Sequence, residues 1–337
     1  MIRRRAVLGG LGAGAALAAT PAWPMSTGKP PRLRAGDTVA LVSPSTTLAS
    51  DEGLERAEYW IRGMGLVPKP GPNAAGRWGY LAGTDEQRAA DLNAAYADPA
   101  VKAVFAVKGG WGGARILPLL DWATIRANPR LLIGYSDVTS LHLAFAARAG
   151  FATIHGGNAM SSWRKASWES LWRLAFAGDT PTLGGVEVEA ETGRPARTLV
   201  GGRAQGRLLG GNLTVLSTLM GTPWLPDLKG AVLLLEDVNE AEYRVDRMFQ
   251  QLKLAGVLEG LGGVIFGQCT RCTADEPDYT GFTVDDLVDQ YLAPLDVPAI
   301  TGFNSGHVAN QLSLPVGARV ELDADARTVR LLNPLVV

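Results

Sequence analysis

The length, composition and charge of the chain limit what it can be. Its 337 residues, 47% of them hydrophobic, can bury one large core or two medium ones. With 32 basic and 33 acidic residues the net charge is −1, so no strong field attracts phosphate backbones or anionic lipid. Nucleic acid and membrane surfaces are therefore not expected as partners. The 41 glycines and 20 prolines are scattered, which is typical of an α/β enzyme with many tight turns.

The first 25 residues differ from the rest and predict an export signal. Three arginines at positions 3–5 precede an apolar run of small residues over 6–19, which is too short to span a bilayer. Arg4-Arg5 before a hydrophobic pair is similar to a twin-arginine signal, whose passenger is exported folded. We expect a periplasmic protein with no stable membrane insertion after cleavage. The alternatives are an uncleaved N-terminal helix or an anchor in place of the signal, and a cytoplasmic location.

Strands alternate with helices through the first half of the chain. The predicted elements are a strand ending at Pro44, helices over 51–61 and 85–96, strands over 101–107 and 131–135, and a helix that begins at Ser136. This alternation indicates a parallel sheet with functional loops at the carboxyl ends of its strands. The predicted fold is α/β, with a flavodoxin-like or glutamine-amidotransferase-like N-terminal domain.

A second, smaller domain is predicted after a break in the pattern. We place the nucleophile domain at 32–165, a polar, Gly/Pro-rich linker at 166–205 and the C-terminal domain at 206–337. The last is expected to be mixed α/β and partly barrel-like. Its predicted elements are strands over 231–235 and 263–266, a helix over 242–255 and antiparallel strands within 319–332.

The two cysteines form a single Cys-x-x-Cys, at Cys269 and Cys272. This motif lacks the second ligand pair of a structural zinc site and the setting of a thioredoxin-like motif. In an oxidising compartment the two can form a local disulfide, and a structural role is favoured over a redox function. No metal or cofactor is expected.

Ser136 is a candidate nucleophile. It stands where an apolar strand turns into a helix, which exposes its hydroxyl at the sheet edge and aims helix N-terminal amides at developing negative charge. The Gly-x-Ser-x-Gly elbow is incomplete because Val138 replaces the second glycine. A serine at such a position is also typical of a helix cap, so other residues must decide its role.

A serine nucleophile needs a base, and the chain has three histidines. His142 lies on the packed side of the helix after Ser136. His155 ends a strand, where a structural role is favoured and cleft lining is the alternative. His307 lies in a polar, glycine-containing loop between apolar stretches, where a base can reach solvent and substrate. We predict His307 as the base.

Glu236 is the predicted acid. It follows the apolar run 232–235, and a carboxylate buried there needs a partner, which His307 would provide. Asp237 and Glu240 are alternatives that could cap the next turn or stay solvated.

A glycine-rich run over 108–113 lacks the ending of a phosphate loop. Its backbone amides could instead face an oxyanion. We therefore predict an oxyanion hole from the amides of Gly110 and Asp137.

These motifs together resemble the LD-carboxypeptidases, in order and over nearly the whole mature chain. The segments that carry the resemblance are Lys108-Gly109-Gly110-Trp111-Gly112, the run from Gly134 to His142, His155-Gly156, Gly210-Gly211-Asn212-Leu213, Leu235-Glu236-Asp237-Val238, Tyr243-Arg244-Val245-Asp246-Arg247 and Gly306-His307.

The resemblance implies a serine peptidase with its triad on Ser136, Glu236 and His307, a cleft between two domains and a homodimer. It also implies a murein tetrapeptide substrate that loses its terminal D-alanine. Trp111, His155 and Asn212 are then candidate substrate contacts.

This chain departs from the family pattern in the expected cleft. Lys108 stands where an arginine is usual, Trp111 where a tyrosine is usual, and Gly157-Asn158 where Pro-Met is usual. Two alternative functions are a microcin C-type immunity peptidase, which cleaves a peptidyl-nucleotide, and a catalytically silent murein-peptide binding protein. An aromatic platform for a nucleobase at Trp111, Trp163 or Trp168 would favour the former.

Overall fold

The computed structural model of the chain describes residues 28–50, 52–185, 194–274 and 278–337. The predicted export signal over residues 1–25 lies outside the described residues. Within these ranges no helix combines the length and the hydropathy needed to cross a membrane.

The first sheet contains five parallel strands, as the alternating pattern predicts. They are β1 (Thr38–Val42), β2 (Val67–Pro70), β3 (Val101–Ala106), β4 (Leu131–Gly134) and β5 (Thr153–His155). Their order in space is β2-β1-β3-β4-β5, and a strand from the C-terminal part of the chain, Leu314–Val316, pairs antiparallel with β5. The central strands are buried along nearly their whole length, because helices pack on both faces of a parallel sheet.

Helices connect these strands near the predicted positions. They are α1 (Glu52–Gly63), α2 (Asp85–Ala97), α3 (Gly113–Ile116), α4 (Trp122–Ala127), α5 (Thr139–Arg148) and α6 (Lys165–Trp172). Helix α2 begins at a capping box in which Thr84 and Gln87 satisfy each other's backbone amides. The helix predicted to start at Ser136 starts at Thr139, because a 3₁₀ turn over Ser136–Val138 comes first.

The second sheet has eight described strands. They are β6 (Thr182–Gly184), β7 (Arg197–Val200), β8 (Arg203–Asn212), β9 (Val232–Val238), β10 (Gly263–Thr270), β11 (Ala299–Thr301), β13 (Arg319–Asp323) and β14 (Thr328–Leu331), with β12 being the strand Leu314–Val316 of the first sheet. Their order is β6-β14-β13-β8-β9-β10-β11-β7, with β8 to β11 parallel and the flanking strands antiparallel. This sheet curls into a half-barrel, and α7 (Leu213–Thr218), α8 (Glu242–Leu254) and α9 (Val284–Tyr291) complete this part. The predicted fold class, a parallel-sheet α/β unit with a partly barrel-like mixed unit, is confirmed.

The stretch 166–205, predicted as a linker, carries most of α6 and, in its described part, β6, β7 and the start of β8. Strands β6 and β7 have three and four residues and lie at the edges of the sheet. Such short edge strands show too few alternations to be recognised from a hydrophobic pattern. The domain boundaries stay predictions.

One contact between the two sheets positions the site. The backbone N–H of Asn212, at the end of β8, donates to Thr139 Oγ1 at the start of α5, over 2.9 Å. Gly211 has φ +140°, and a Cβ there would lie 2.5 Å from Thr139 Oγ1, so only glycine fits. The carboxyl ends of β4 and β9 therefore come close together.

Candidate active site

Ser136 lies in a strained backbone conformation at the end of β4. Its φ is +66°, in the left-handed region that L-residues other than glycine, asparagine and aspartate rarely adopt. Holding a serine there costs on the order of 1–3 kcal/mol, which the surrounding structure must supply. The sharp turn between strand and 3₁₀ turn directs the hydroxyl away from the sheet edge, as a nucleophile requires.

Glycines make this turn possible by allowing close backbone approach. A Cβ on Gly109 would lie 2.8 Å from the Cβ of Ser136, and one on Gly134 would lie 2.8 Å from Asn158 Oδ1. Both positions are therefore closed to larger residues. The glycine-rich loop after β3 thus packs directly against Ser136.

Gly110, half of the predicted oxyanion hole, lies in this loop with φ +113°, and a Cβ there would overlap Thr46. Asp137, the other half, is buried, and its carboxylate accepts the backbone N–H of Gly113 over 2.7 Å. Burial raises the pKa of Asp137. Its side chain therefore fixes the loop, and the predicted role of the two backbone amides stays a prediction.

Arg88 is a supporting residue that the sequence did not indicate. Its guanidinium is buried, pairs with Asp85 and donates to the carbonyls of Pro44 and Gly112. It thereby joins the loops after β1 and β3. An arginine within an amphipathic helix has no sequence signal that separates this role from a solvated one.

Ser136, His307 and Glu236 form one hydrogen-bonded series. The hydroxyl of Ser136 lies 3.1 Å from His307 Nε2, and His307 Nδ1 lies 2.9 Å from Glu236 Oε2. Glu236 is completely buried, whereas the side chain of His307 remains 18% exposed. If Nδ1 carries the proton, Nε2 is free to accept the proton of Ser136. The three residues chosen from the sequence therefore lie in the geometry of a nucleophile, a base and an acid.

The sequence placed Glu236 one residue beyond a strand, and this was wrong. Strand β9 continues to Val238, so Glu236 lies inside the sheet and pairs in register with Asn212 of β8. A carboxylate can occupy this position because the loop after β11 brings His307 to it. Gly306 has φ +114°, and a Cβ there would lie 2.7 Å from Glu236 Oε2, so glycine is required for that approach.

Two buried histidines lie behind this series. His142 is completely buried, as predicted, and its ring nitrogens lie 2.8 Å from Thr153 Oγ1 and 2.8 Å from the carbonyl of Gly134. His155 is also completely buried, with Nε2 3.9 Å from Glu236 Oε1. Neither of these two atoms has a hydrogen-bond partner within the described ranges. The predicted contact of His155 with substrate is untested, and its side chain faces the protein interior.

The buried histidines predict a specific acid sensitivity. Burial lowers the pKa of His142 to about 4, while an unfolded histidine titrates near 6.5. Between these values the unfolded chain binds a proton that the folded chain does not, so the free energy of unfolding falls as pH falls. We expect wild type to lose about 1.4 kcal/mol per pH unit relative to His142→Gln over this window.

Denaturant unfolding of both proteins at several pH values between 4 and 6.5 measures this difference. Taking the difference in unfolding free energy between the two proteins removes the contributions of other titrating groups. One of these groups is Asp237, because burial raises its pKa to about 6. Parallel stability curves for the two proteins would show that His142 is not a neutral buried histidine.

Asn212 and Asp237 hydrogen-bond to each other at the start of α7. Asn212 Nδ2 lies 2.9 Å from Asp237 Oδ1, and its own Oδ1 caps α7 by accepting the N–H of Val215. Asp237 also accepts the backbone N–H and the hydroxyl of Thr214. Trp111, by contrast, is 47% exposed beside the glycine-rich loop. The predicted substrate contacts of Asn212 and Trp111 stay predictions.

Cys269 and Cys272 form a disulfide at the end of β10. Thr270, between them, donates its hydroxyl to the backbone carbonyl of His307 over 3.1 Å. The turn closed by the disulfide therefore contacts the loop that carries His307, in keeping with the structural role favoured from the sequence.

A mixed α/β protein that aligns a serine, a histidine and a buried carboxylate has the architecture of a hydrolase. Residues 39–156 match the LD-carboxypeptidase N-terminal domain, and residues 205–322 match the LD-carboxypeptidase C-terminal domain. The chain belongs to the LD-carboxypeptidase family, as the resemblance of its motifs indicated, and is a peptidase.

Individual relatives agree with this assignment. A protein of Streptomyces coelicolor is 40% identical over 314 residues, which cover 91% of this chain and 96% of that protein. The murein tetrapeptide carboxypeptidase of Pseudomonas aeruginosa is 35% identical over 295 residues, which cover 85% of this chain and 93% of that protein. A solved structure of the microcin C7 self-immunity protein with glutamyl sulfamoyl guanosine has a TM-score of 0.83, with 23% identity over 92% of this chain and 99% of that one. At that identity the likeness concerns the fold alone.

Proposed function

We propose that this protein is a serine-type LD-carboxypeptidase that removes the terminal D-alanine of murein tetrapeptides through an acyl-enzyme on Ser136. The observation that carries the proposal is the hydrogen-bonded series from Ser136 through His307 to the buried Glu236. The similarity to the Pseudomonas aeruginosa murein tetrapeptide carboxypeptidase supports the choice of substrate.

In the acylation step Ser136 Oγ attacks the carbonyl carbon of the scissile peptide bond. The Oγ proton passes to His307 Nε2, and Glu236 stabilises the resulting imidazolium. The amides of Gly110 and Asp137 are proposed to stabilise the oxyanion, at about 3 kcal/mol of barrier for each donor. The C–N bond then breaks, and the leaving amine takes the proton from His307.

Deacylation reverses these roles with water as the nucleophile. His307 removes a proton from water, which attacks the acyl carbon, and the tripeptide leaves with a new carboxylate while Ser136 recovers its proton. Each step uses groups that the described part of the chain provides.

The proposal is tested by supplying tetrapeptide, tripeptide and pentapeptide stems to the mature protein and measuring released amino acids by mass spectrometry. We expect D-alanine from the tetrapeptide alone. Release from none of the stems, or from the pentapeptide in preference, would contradict the proposed substrate. A tetrapeptide that ends in L-alanine is the matched control for the configuration of the leaving residue.

The immunity-peptidase alternative has weaker support. The similarity to the microcin C7 self-immunity structure concerns the fold. Of the tryptophans considered as a nucleobase platform, Trp163 is buried edge-on to Phe105, and Trp168 packs against Phe176. Only Trp111 offers a largely exposed ring. The murein stem is therefore the substrate that we propose.

A further inference from the structure

Two cavities along the cleft border His307. The smaller, about 250 Å³, is lined by Tyr135, Trp163, Arg164, Ser167 and Gln311 in addition to His307. The larger, about 490 Å³, lies on the side of Arg194 and Arg271. Because His307 Nε2 contacts Ser136 Oγ, each cavity can receive one side of a peptide bond held at Ser136.

The two cavities differ in volume, and this difference indicates which part of the substrate each one suits. The smaller cavity has the volume of roughly eight water molecules at about 30 Å³ each, which suits one amino acid and not a stem peptide. A carboxypeptidase releases a single residue, so the smaller cavity fits the leaving residue. The larger cavity then faces the acyl portion of the substrate.

The smaller cavity contains buried donors that lack partners. Trp163 is 8% exposed and Ser167 is 2% exposed, and neither Trp163 Nε1 nor Ser167 Oγ has a hydrogen-bond partner among the described residues. An indole N–H can only donate, and leaving such a group unpaired in the interior is unfavourable because it has lost its hydrogen bonds to water. Both side chains line the cavity, so a ligand with acceptor atoms would satisfy them.

The start of α6 adds a favourable field for an anion. Arg164 is the N-cap residue of this helix, and Ser167 is its third residue. First-turn amides have no partner within a helix, and the positive end of the helix dipole favours negative charge. Gln311 Oε1 also lines this cavity, has no hydrogen-bond partner in the part of the chain that the structure describes, and suits the amino group of a released residue.

We propose that the smaller cavity is the subsite for the leaving amino acid, whose carboxylate is bound by Trp163 Nε1 and Ser167 Oγ near the N-terminus of α6. This inference rests on the proposed function and adds the residues that make the enzyme an exopeptidase. A free C-terminal carboxylate supplies two acceptor oxygens and a negative charge, whereas a C-terminal amide supplies one acceptor oxygen and no charge. A continuing chain would place further residues in a cavity that suits one.

The test compares the tetrapeptide with the same peptide ending in D-alaninamide. We expect Trp163→Phe and Ser167→Ala each to lower kcat/KM for the acid by about 10- to 100-fold, chiefly through KM. The loss on the amide should be smaller, below about tenfold, because hydrogen bonds to a neutral acceptor are about half as strong as those to a charged one. Trp168→Phe is the matched control, because Trp168 lies on the same helix as Ser167 but packs against Phe176. This variant should keep the wild-type preference for the acid over the amide. An equal loss on both peptides, or no loss on either, would overturn the subsite.

Binding separates this inference from the proposed function. In a Ser136→Ala background, calorimetry should show that adding Ser167→Ala weakens binding of the tetrapeptide by a larger factor than it weakens binding of the amide. If wild type released no D-alanine, the proposed function would fail while this binding difference still supported the subsite. Equal affinities for acid and amide in the Ser136→Ala protein would refute the subsite directly.

Discussion

Replacing Ser136 by alanine should reduce turnover of the murein tetrapeptide by about 10⁴-fold or more while substrate affinity stays within a few-fold of wild type. The hydroxyl is the proposed attacking group, and its removal leaves His307 and Glu236 in place. Fold and cleft should persist, because alanine keeps the Cβ that packs beside Gly109. Single-turnover kinetics and equilibrium binding to the variant measure the two quantities separately.

A matched control for this variant is Ser217→Ala. Ser217 lies on α7, and its hydroxyl bonds within the helix to the carbonyl of Thr214. Its loss should leave turnover unchanged. If Ser136→Ala kept substantial turnover at unchanged stability, Ser136 would be a structural turn residue and the nucleophile would have to be sought elsewhere.

Replacing His307 by alanine should reduce turnover about as much as losing Ser136, because the nucleophile and its base act in the same step. Glu236→Gln should cost between about 10² and 10⁴ in turnover, since it removes the charge that fixes the tautomer of His307 but not the base itself. Kinetics at several pH values, together with thermal midpoints, separate these effects from loss of fold.

Glu240→Gln is the matched control for the carboxylate. Glu240 lies four residues further along and pairs with Arg244 over 3.6 Å at the surface, a kind of ion pair that contributes little. Turnover by the Glu240→Gln variant should match that of the wild type. If His307→Ala kept wild-type turnover while His142→Gln or His155→Gln lost it at unchanged stability, the base would have to be one of the buried histidines.

The three residues of the site could be predicted from the sequence because few side chains in the chain can act as a base. Only three histidines are present, and one of them lies in a polar loop. Parallel strands also place their carboxyl ends at one edge, so Ser136 after β4 and a carboxylate near the end of β9 could be expected to lie close together. The strand assignment was inexact, because Glu236 lies inside β9 and not beyond it. In the structure the side chains of the three chosen residues are hydrogen-bonded to one another. The variants described above test their catalytic roles.

Other features had no local signal. The left-handed backbone of Ser136 depends on Gly109 and Gly134 packing around it from other elements, which no short pattern encodes. The buried donors at Trp163 and Ser167 lie where the hydrophobic pattern weakens and a linker was predicted nearby. The buried position of Arg88 in α2 has no local sequence signal either. Each depends on contacts between residues far apart in sequence, and periodicity reports only local burial.

The most direct measurement of the central claim is the intact mass of the enzyme, quenched in acid within one turnover of the murein tetrapeptide, followed by peptide mapping. We expect an adduct of the tripeptide acyl group on Ser136, released D-alanine in equal amount, and neither product with Ser136→Ala. D-alanine release without any adduct, continuing in Ser136→Ala at near the wild-type rate, would contradict that claim.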